Sequence, residues 1–362
     1  MNKKISTNCG PVLQLITGLG VGGAERVVLE LAGRLVEHGC PVIVVALDGN
    51  CSLLQQYINT DFRVYTLGIS KNNPFSILRG MISLIGLMRR EEVVVVHAHM
   101  FHALLAGLVC RLARPKVKLV FTSHSFAGFS SMRRWLIMKT KALRSVDIVF
   151  AKGQHEAMNA ADTVVIPNGV AVNLNEKPLC RTMTEKRIFL FVGRLEVPKN
   201  PLALIDAFAA MEHKQCILWM AGDGTLREEV EQRIASLGLC ARVKMLGVQN
   251  DIPTLLRQAD CFVMSSSWEG LPMALLEAGA AALPVIATPV GAIPDVLGQD
   301  CGYLINVENL AQVLDATVDD YATARMRGFR LKEKIKAVYS LDQTTKQHEN
   351  LYRQLTACKK TD

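Results

Sequence analysis

Two carboxylates, Glu269 and Glu277, stand eight positions apart in Ser267-Trp268-Glu269-Gly270-Leu271-Pro272-Met273-Ala274-Leu275-Leu276-Glu277-Ala278. The turn Gly270-Leu271-Pro272 leads into an apolar run that predicts a helix. Pro272 suits its first position, where a missing N–H and a fixed φ do no harm. The amides from Leu271 to Ala274, Met273 included, would lie at a positive helix end, which attracts phosphate or sugar oxygens. Glu269 precedes that end and Glu277 lies about a turn and a half beyond it, so both can frame one ligand.

A second group is Gly193-Arg194-Leu195-Glu196-Val197-Pro198-Lys199-Asn200. Arg194 leaves a strand and Lys199 precedes a helix opening at Pro201. Ligands collect at strand ends in open α/β sheets, and two fixed cations there could neutralise a departing diphosphate. The same spacing also fits a solvated basic turn. Histidines form a third group: His99 in Val96-His97-Ala98-His99, and His124 in Phe121-Thr122-Ser123-His124-Ser125, each follow a strand. An imidazole so placed can bond a sugar hydroxyl or a developing charge. Zinc held by His97, His99, His102 and His124 is disfavoured, because no cysteine or carboxylate lies near to complete the set.

A glycine loop, Thr17-Gly18-Leu19-Gly20-Val21-Gly22-Gly23, follows the first strand and opens a helix. Gly18, Gly20 and Gly23 formally satisfy G-x-G-x-x-G, and Asp48 is a candidate for the acid expected after the next strand. An NAD(P)-dependent oxidoreductase therefore stays open as an alternative.

The elements that must position these groups are alternating buried strands and helices. Strands are expected at Val12 to Ile16, Val42 to Leu47, Val93 to His97, Val117 to Thr122 and Asp147 to Ala151, with a helix from Ala24 to His38 stopped by Gly39. After a polar stretch, Val172 to Lys186, the pattern restarts with strands at Ile188 to Gly193, Ile217 to Ala221, Val243 to Leu246, Cys261 to Met264 and Pro284 to Ala287, and a helix from Pro201 to Met211. Uninterrupted Val/Ile/Leu strands separated by helices predict parallel sheets covered on both faces. The fold class expected is α/β, with two doubly wound Rossmann-like domains over 1–175 and 176–340 and a helical segment over 341–362.

Half of the 362 residues are apolar and 20% are charged, which excludes a disordered chain. Ten cysteines show no C-x-x-C pair and Met1 to Gly10 is polar, so reduced thiols in a cytoplasmic protein are expected. No stretch approaches the ~20 uncharged apolar residues that span a bilayer. The net charge of +8 lies wholly in the first half: 20 Lys+Arg face 11 Asp+Glu up to Pro178, and 21 face 22 after it. Ser131 to Ser145 reads as one helix that mixes Met132, Trp135, Leu136, Met138 and Leu143 with Arg133, Arg134, Lys139, Lys141 and Arg144. Such a segment fits an ordinary helix packed on its domain with solvated cations, or one that rests on an anionic membrane surface. Nucleic acid is not expected, since aromatic platforms are lacking among these cations.

The Glu269–Glu277 segment, Gly-Arg-Leu-x-x-x-Lys-Asn, Gly22-Gly23-Ala24-Glu25-Arg26 and Ile166-Pro167-Asn168-Gly169 together resemble the retaining glycosyltransferases of family 4, across nearly the whole chain. Pro289-Val290-Gly291-Ala292-Ile293-Pro294-Asp295 is similar to the family's Gly-x-x-Pro-Glu segment, with Asp295 one methylene shorter. The resemblance implies a GT-B architecture, two domains facing a cleft, with the segment 342–358 crossing back to the first. It implies that Arg194 and Lys199 hold a diphosphate, Glu277 the ribose, Glu269 and His124 the transferred sugar, and His99 the acceptor side. Gly22, Gly23, Val248, Gly270, Leu271, Pro272 and Met273 would complete the donor pocket. The chain carries no Asp-x-Asp metal pair, so no metal or other cofactor is expected. The implied partners are a nucleotide-sugar donor, a UDP-sugar in preference to GDP-mannose, and a saccharide or lipid-linked pyrophosphate acceptor. The implied role is O-antigen or capsule synthesis, with a non-catalytic nucleotide-sugar-binding subunit as the other alternative.

Overall fold

The structure is a computed structural model that describes residues 9–20, 22–50, 52–53, 61–124, 130–151, 162–172 and 187–357. Val21, Ser125, the polar stretch 173–186 and Cys358 lie outside these residues. The chain divides into two compact units, Met1–Gly169 with Leu341–Asp362, and Val170–Ser340.

In the first unit the order is β1 (Val12–Ile16), α1 (Gly23–Glu37), β2 (Val42–Ala46), β3 (Arg63–Thr66), α2 (Pro74–Arg90), β4 (Val95–His99), α3 (Met100–Ala113), β5 (Lys118–Thr122), α4 (Ser131–Lys139), β6 (Val146–Val149) and β7 (Thr163–Val165). These strands form one parallel sheet in the order β3-β2-β1-β4-β5-β6-β7. Every residue of β1 and β2 is buried, as sequences such as Val-Ile-Val-Val-Ala require when helices cover both faces. Helix α1 ends where Gly39 turns to φ +83 and its N–H reaches back to Val36 O at 2.8 Å, the left-handed stop that glycine allows.

The second unit continues with β8 (Ile188–Val192), α5 (Pro201–Ala210), β9 (Ile217–Ala221), α6 (Arg227–Ser236), β10 (Val243–Gly247), α7 (Ile252–Gln258), β11 (Cys261–Met264), α8 (Met273–Ala280), β12 (Val285–Ala287), α9 (Ile293–Leu297), β13 (Tyr303–Leu304), α10 (Leu310–Asp319) and α11 (Tyr321–Val338). Its parallel sheet runs β10-β9-β8-β11-β12-β13. Helix α12 (Leu341–Thr356) then belongs to the first unit. There Leu351 and Tyr352 join the core formed by Val12, Val28, Leu31 and Val95.

Three details correct the expectations. Strand β4 runs Val95–His99 rather than Val93–His97, so His99 ends the strand instead of following it; its start is delayed because Glu92 takes a left-handed turn and Val93 N closes the end of α2 on Met88 O at 3.0 Å. Pro272 is the cap before α8, not its first helical residue. The helix expected over 131–145 stops at Lys139, where Thr140 Oγ1 donates to Leu136 O at 2.8 Å, and residues Lys141–Leu143 form a separate 3-10 turn. Arg144 consequently turns inward and pairs with buried Asp147 at 2.6 and 2.8 Å, so it is not a surface cation.

Candidate active site

Each sheet reverses its winding at its first strand: β1 lies between β2 and β4, and β8 between β9 and β11. The carboxyl ends of strands at such a reversal form a crevice. In the second unit, β8 runs into Gly193 and Arg194, and β11 into Ser265 and Ser266. Gly222, at φ +140, lets the turn after β9 lie against Gly193, whose oxygen would be 1.9 Å from any Cβ added there. Leu195 N donates to Asp223 O at 2.9 Å and Gly222 N to Gly247 O at 2.7 Å, which ties together three strand ends. Val248, exposed, follows the last of them.

Lys199 closes the 3-10 turn Val197–Lys199, and its Nζ donates to Glu269 Oε1 at 2.5 Å. Ser266 Oγ donates to the same oxygen at 2.7 Å. Ser265 Oγ donates to Asn200 O at 2.9 Å and Ser267 N to Pro198 O at 2.8 Å, so the lysine turn is bolted to the end of β11. The side chains of Lys199 and Glu269 are only 20% and 11% exposed, and their attraction is correspondingly stronger than that of a surface pair. Arg194, just after β8, is exposed. Hydrogen bonds from Thr225, with the Arg194 charge adding to them, hold the Glu196 carboxyl below its usual range.

The loop before α8 is buried through Gly270, Leu271 and Pro272. Gly291, at φ +60, supports it from below: a Cβ there would meet Glu269 O at 2.4 Å and Gly270 O at 2.5 Å, and Ala292 N donates to Gly270 O at 2.9 Å. Helix α8 opens at Met273 with no side-chain cap, which leaves its N-terminal end suited to an anion. Glu277 is partly buried a turn and a half into it. The second unit thus carries Arg194, Lys199 and Val248 just after β8 and β10, and Glu269, Gly270, Leu271, Pro272, Met273 and Glu277 in the loop and helix α8 that follow β11.

Gly22, Gly23, His99 and His124 belong to the first unit. Gly22 caps α1 in an extended conformation and Gly23 is its first residue. A side chain on Gly22 would strike Glu25 Oε2 at 2.3 Å, so an acid already stands beside that helix end. Asp48 Oδ1 accepts from Asn50 N at 2.9 Å and lies against Gly18, bracing the glycine loop.

Along β4 the alternation places Val95, His97 and His99 on the face covered by α12, while Val96 and Ala98 join the opposite core. The two histidines enter a buried polar chain. His97 Nε2 lies 2.7 Å from Thr122 Oγ1, and its Nδ1 lies 2.7 Å from Tyr352 Oη. Gln14 Nε2 donates to that hydroxyl at 3.0 Å, and Gln14 Oε1 lies 2.7 Å from His99 Nε2. His99 Nδ1 lies 3.1 Å from His124 Nε2. His348 of α12 stacks near His97 and bonds Thr344 O through Nδ1 at 2.8 Å. Burial, reinforced by neighbouring imidazoles, keeps His97 and His99 well below the usual histidine range and lowers His124 to about 4, while burial, opposed by the hydrogen bond to Thr344 O, lowers His348 to about 4. These rings are neutral at physiological pH. Both nitrogens of His97 and of His99 are occupied within the chain, and among the described residues no three His, Cys, Asp or Glu are grouped to hold a metal. His99, His124, Phe150, Pro167, Asn168 and His348 line a small cavity at this end of the sheet.

The family model described as Glycosyltransferase Family 4 matches residues 21–174, and that described as Glycosyl transferases group 1 matches residues 180–336. The chain belongs to glycosyltransferase family 4. It is 26% identical over 335 residues to the UDP-Gal:alpha-D-GlcNAc-diphosphoundecaprenol alpha-1,3-galactosyltransferase of Escherichia coli, covering 82% of this chain and 84% of that one. It is 24% identical to the N-acetyl-alpha-D-glucosaminyl L-malate synthase of Bacillus anthracis, covering 97% of each chain. Among solved structures, Anabaena HepE in complex with UDP and glucose matches with a TM-score of 0.81 at 20% identity, covering 94% of this chain and 99% of HepE.

The glycosyltransferase therefore has the GT-B fold, and the oxidoreductase and the non-catalytic subunit fall away as readings of it. Its sequence did not point to Ser266, Gln14, His348 or Tyr352. Gln14 did leave a signal, a lone amide in the strand Val-Leu-Gln-Leu-Ile, every residue of which is buried. A polar side chain tolerated there must have a partner.

Proposed function

We propose that this glycosyltransferase is a retaining enzyme that moves a hexose or N-acetylhexosamine from a UDP-sugar to a lipid-linked saccharide, in the synthesis of O-antigen or capsule. The observation that carries the reading is the Lys199–Glu269–Ser266 cluster beside the uncapped start of α8. It puts a cation for a diphosphate next to a carboxylate for sugar hydroxyls. Arg194 adds a second cation and Glu277 an acceptor for ribose hydroxyls. His124, neutral, serves the transferred sugar; His99 serves the acceptor side through it. Charge on the departing diphosphate meets Arg194, Lys199 and the helix end, so no divalent metal is needed. The acceptor oxygen bonds to the anomeric carbon on the face from which the diphosphate leaves. The bond between the anomeric carbon and the diphosphate oxygen breaks, and the acceptor's proton passes to that departing oxygen.

UDP is favoured over GDP because the E. coli relative is named for UDP-Gal and HepE binds UDP. The same relative's name, with its diphosphoundecaprenol acceptor, supports a lipid-linked substrate. An anionic membrane surface on the cytoplasmic side fits that acceptor. Helices α2, α3 and α4 share one face of the first sheet through Leu84, Leu104 and Ile137. Their outer sides expose Phe75, Leu78 and Ile82 on α2, Leu112 on α3, and Met132, Trp135 and Met138 on α4. Between Phe62 and Val146 there are fourteen Lys and Arg against Glu91 and Glu92 alone. No helix among the described residues is long and apolar enough to cross a membrane. The deciding experiment incubates the protein with a panel of UDP- and GDP-sugars and a polyprenyl-diphosphate saccharide, and reads the product by mass and anomeric configuration. A product of inverted configuration, or transfer from GDP-mannose alone, refutes the reading.

A further inference from the structure

The buried polar chain has a direction, and we infer that Gln14 and Tyr352 act through His99 as positioning residues that fix which nitrogen of His124 carries its proton. The inference deepens the proposed function, since it rests on His124 as the residue beside the transferred sugar.

Donors and acceptors along the chain fix the protons one after another. Gln14 directs its amide nitrogen at Tyr352 Oη and its oxygen at His99 Nε2. An amide oxygen only accepts, so His99 carries its proton on Nε2. A neutral His99 then has a bare Nδ1. That nitrogen faces His124 Nε2 at 3.1 Å, and one of the two must donate, so His124 Nε2 bears the proton. His124 Nδ1 is left as a lone pair, able to accept from a substrate hydroxyl. At the other end the Tyr352 hydroxyl, having accepted from Gln14, donates to His97 Nδ1, and His97 Nε2–H donates to Thr122 Oγ1. All five contacts are satisfied with a single set of protons.

The arrangement is rigid because its members are anchored in separate elements: Gln14 in β1, His97 and His99 in β4, Thr122 in β5 and Tyr352 in α12. Gln14, His97, His99 and Tyr352 are almost completely buried. The low polarity around these buried contacts raises the cost of leaving any one unmade. Burial also keeps His99 and His124 neutral, the condition under which a tautomer can be set at all. The opposite order of protons would require the Gln14 amide to turn over. It would present His124 Nδ1–H to the substrate, a donor in place of an acceptor.

The test reads the imidazole directly. In protein labelled with 15N-histidine, ring nitrogens are correlated with the ring's carbon-bound protons, and His124 is assigned by the signals lost in His124→Gln. At neutral pH, His124 is expected to show a protonated Nε2 and a bare Nδ1. Gln14→Leu, which removes the amide, should move both nitrogens toward an average of the two tautomers. It should lower kcat by about three- to ten-fold, as the imidazole spends part of its time wrongly protonated, and leave UDP affinity unchanged. Tyr352→Phe removes only the hydroxyl and should shift the same signals, which covers the case in which Gln14→Leu does not fold. A wild-type His124 protonated on Nδ1, or a tautomer unmoved in both variants, overturns the inference. If the wild-type protein shows the Nε2–H form yet transfers no sugar, the reading of the site fails while the proton order stands.

Discussion

Replacing Lys199 by Met keeps the aliphatic stem and removes the charge, which separates what the lysine does for the fold from what it does for the reaction. At 2.5 Å the attraction between Lys199 and Glu269 is about 7 kcal/mol at an effective dielectric of ~20. Desolvating two groups this far from water takes back much of it. Losing the cation leaves a carboxylate only 11% exposed that keeps the hydrogen bond from Ser266 Oγ, and the net destabilisation should be about 2–3 kcal/mol. For a unit of this size that lowers the melting temperature by ~5–10 °C. Adding Glu269→Gln removes the orphaned charge, and the double variant should regain at least half of the loss. Turnover should behave differently. A fixed cation facing a developing diphosphate is worth ~2–4 kcal/mol, or about 10²–10³ in rate, and no change at Glu269 can supply it. Calorimetry and sugar-nucleotide turnover at saturating donor give the two readouts. The reasoning is refuted if Lys199→Met keeps near wild-type kcat, or if the double variant melts no higher than the single one.

Chelation with EDTA should leave turnover within about two-fold, because fixed cations and helix amides carry the electrostatic work; a large loss restored by Mg²⁺ or Mn²⁺ would contradict this. His348 is held at about 4 in the fold against ~6.5 in the unfolded chain. The unfolded state therefore binds the extra proton first, and stability should fall as pH drops from ~6.5 toward 4 by up to about 1.4 kcal/mol per pH unit. Urea titrations should show a shallower acid slope in His348→Gln. Gly291→Ala should destabilise the second unit by more than about 1 kcal/mol, since it adds both a positive-φ penalty and a Cβ against Glu269 O; an unchanged urea midpoint would count against the support assigned to that turn. Sedimentation with vesicles should show binding that needs anionic lipid and weakens with salt, and that falls when Phe75, Leu78 and Trp135 are made Ser. Equal binding to neutral vesicles would sink the membrane reading.

The strands with unbroken apolar runs were legible because burial on both faces leaves a signal in composition: β1, β8, β9 and β11 are where Val12, Ile188, Ile217 and Cys261 announced them. Strands β3, β7 and β13 left little trace. Each is short, carries partly or fully exposed residues, and lies at a sheet edge. The donor-side motifs were readable because chemistry there is concentrated in short segments on adjacent turns. The histidine chain was not, because its members come from positions 14, 97, 99, 122, 124 and 352 and meet only through the sheet order. Local pattern also misled at Arg144, whose partner Asp147 is three residues away but inside the protein.

Helix α12 gives the first unit an unusual timetable of assembly. The hydrogen bond between Gln14 and Tyr352 joins residues 338 positions apart, and the whole of Val170–Ser340 is made between the two ends. At ~5–20 residues per second, a ribosome spends about 10–30 s on that intervening unit. During this interval the first sheet can pair its strands, yet Gln14, His97 and the core around Val12 and Leu31 lack the side chains that cover them. The second unit is continuous and can close on its own as it emerges. The half of the enzyme that is begun first is therefore finished last, and a nascent chain stalled before Leu341 leaves apolar core residues such as Val12 and Leu31 without the cover of Leu351 and Tyr352, the kind of surface that aggregates.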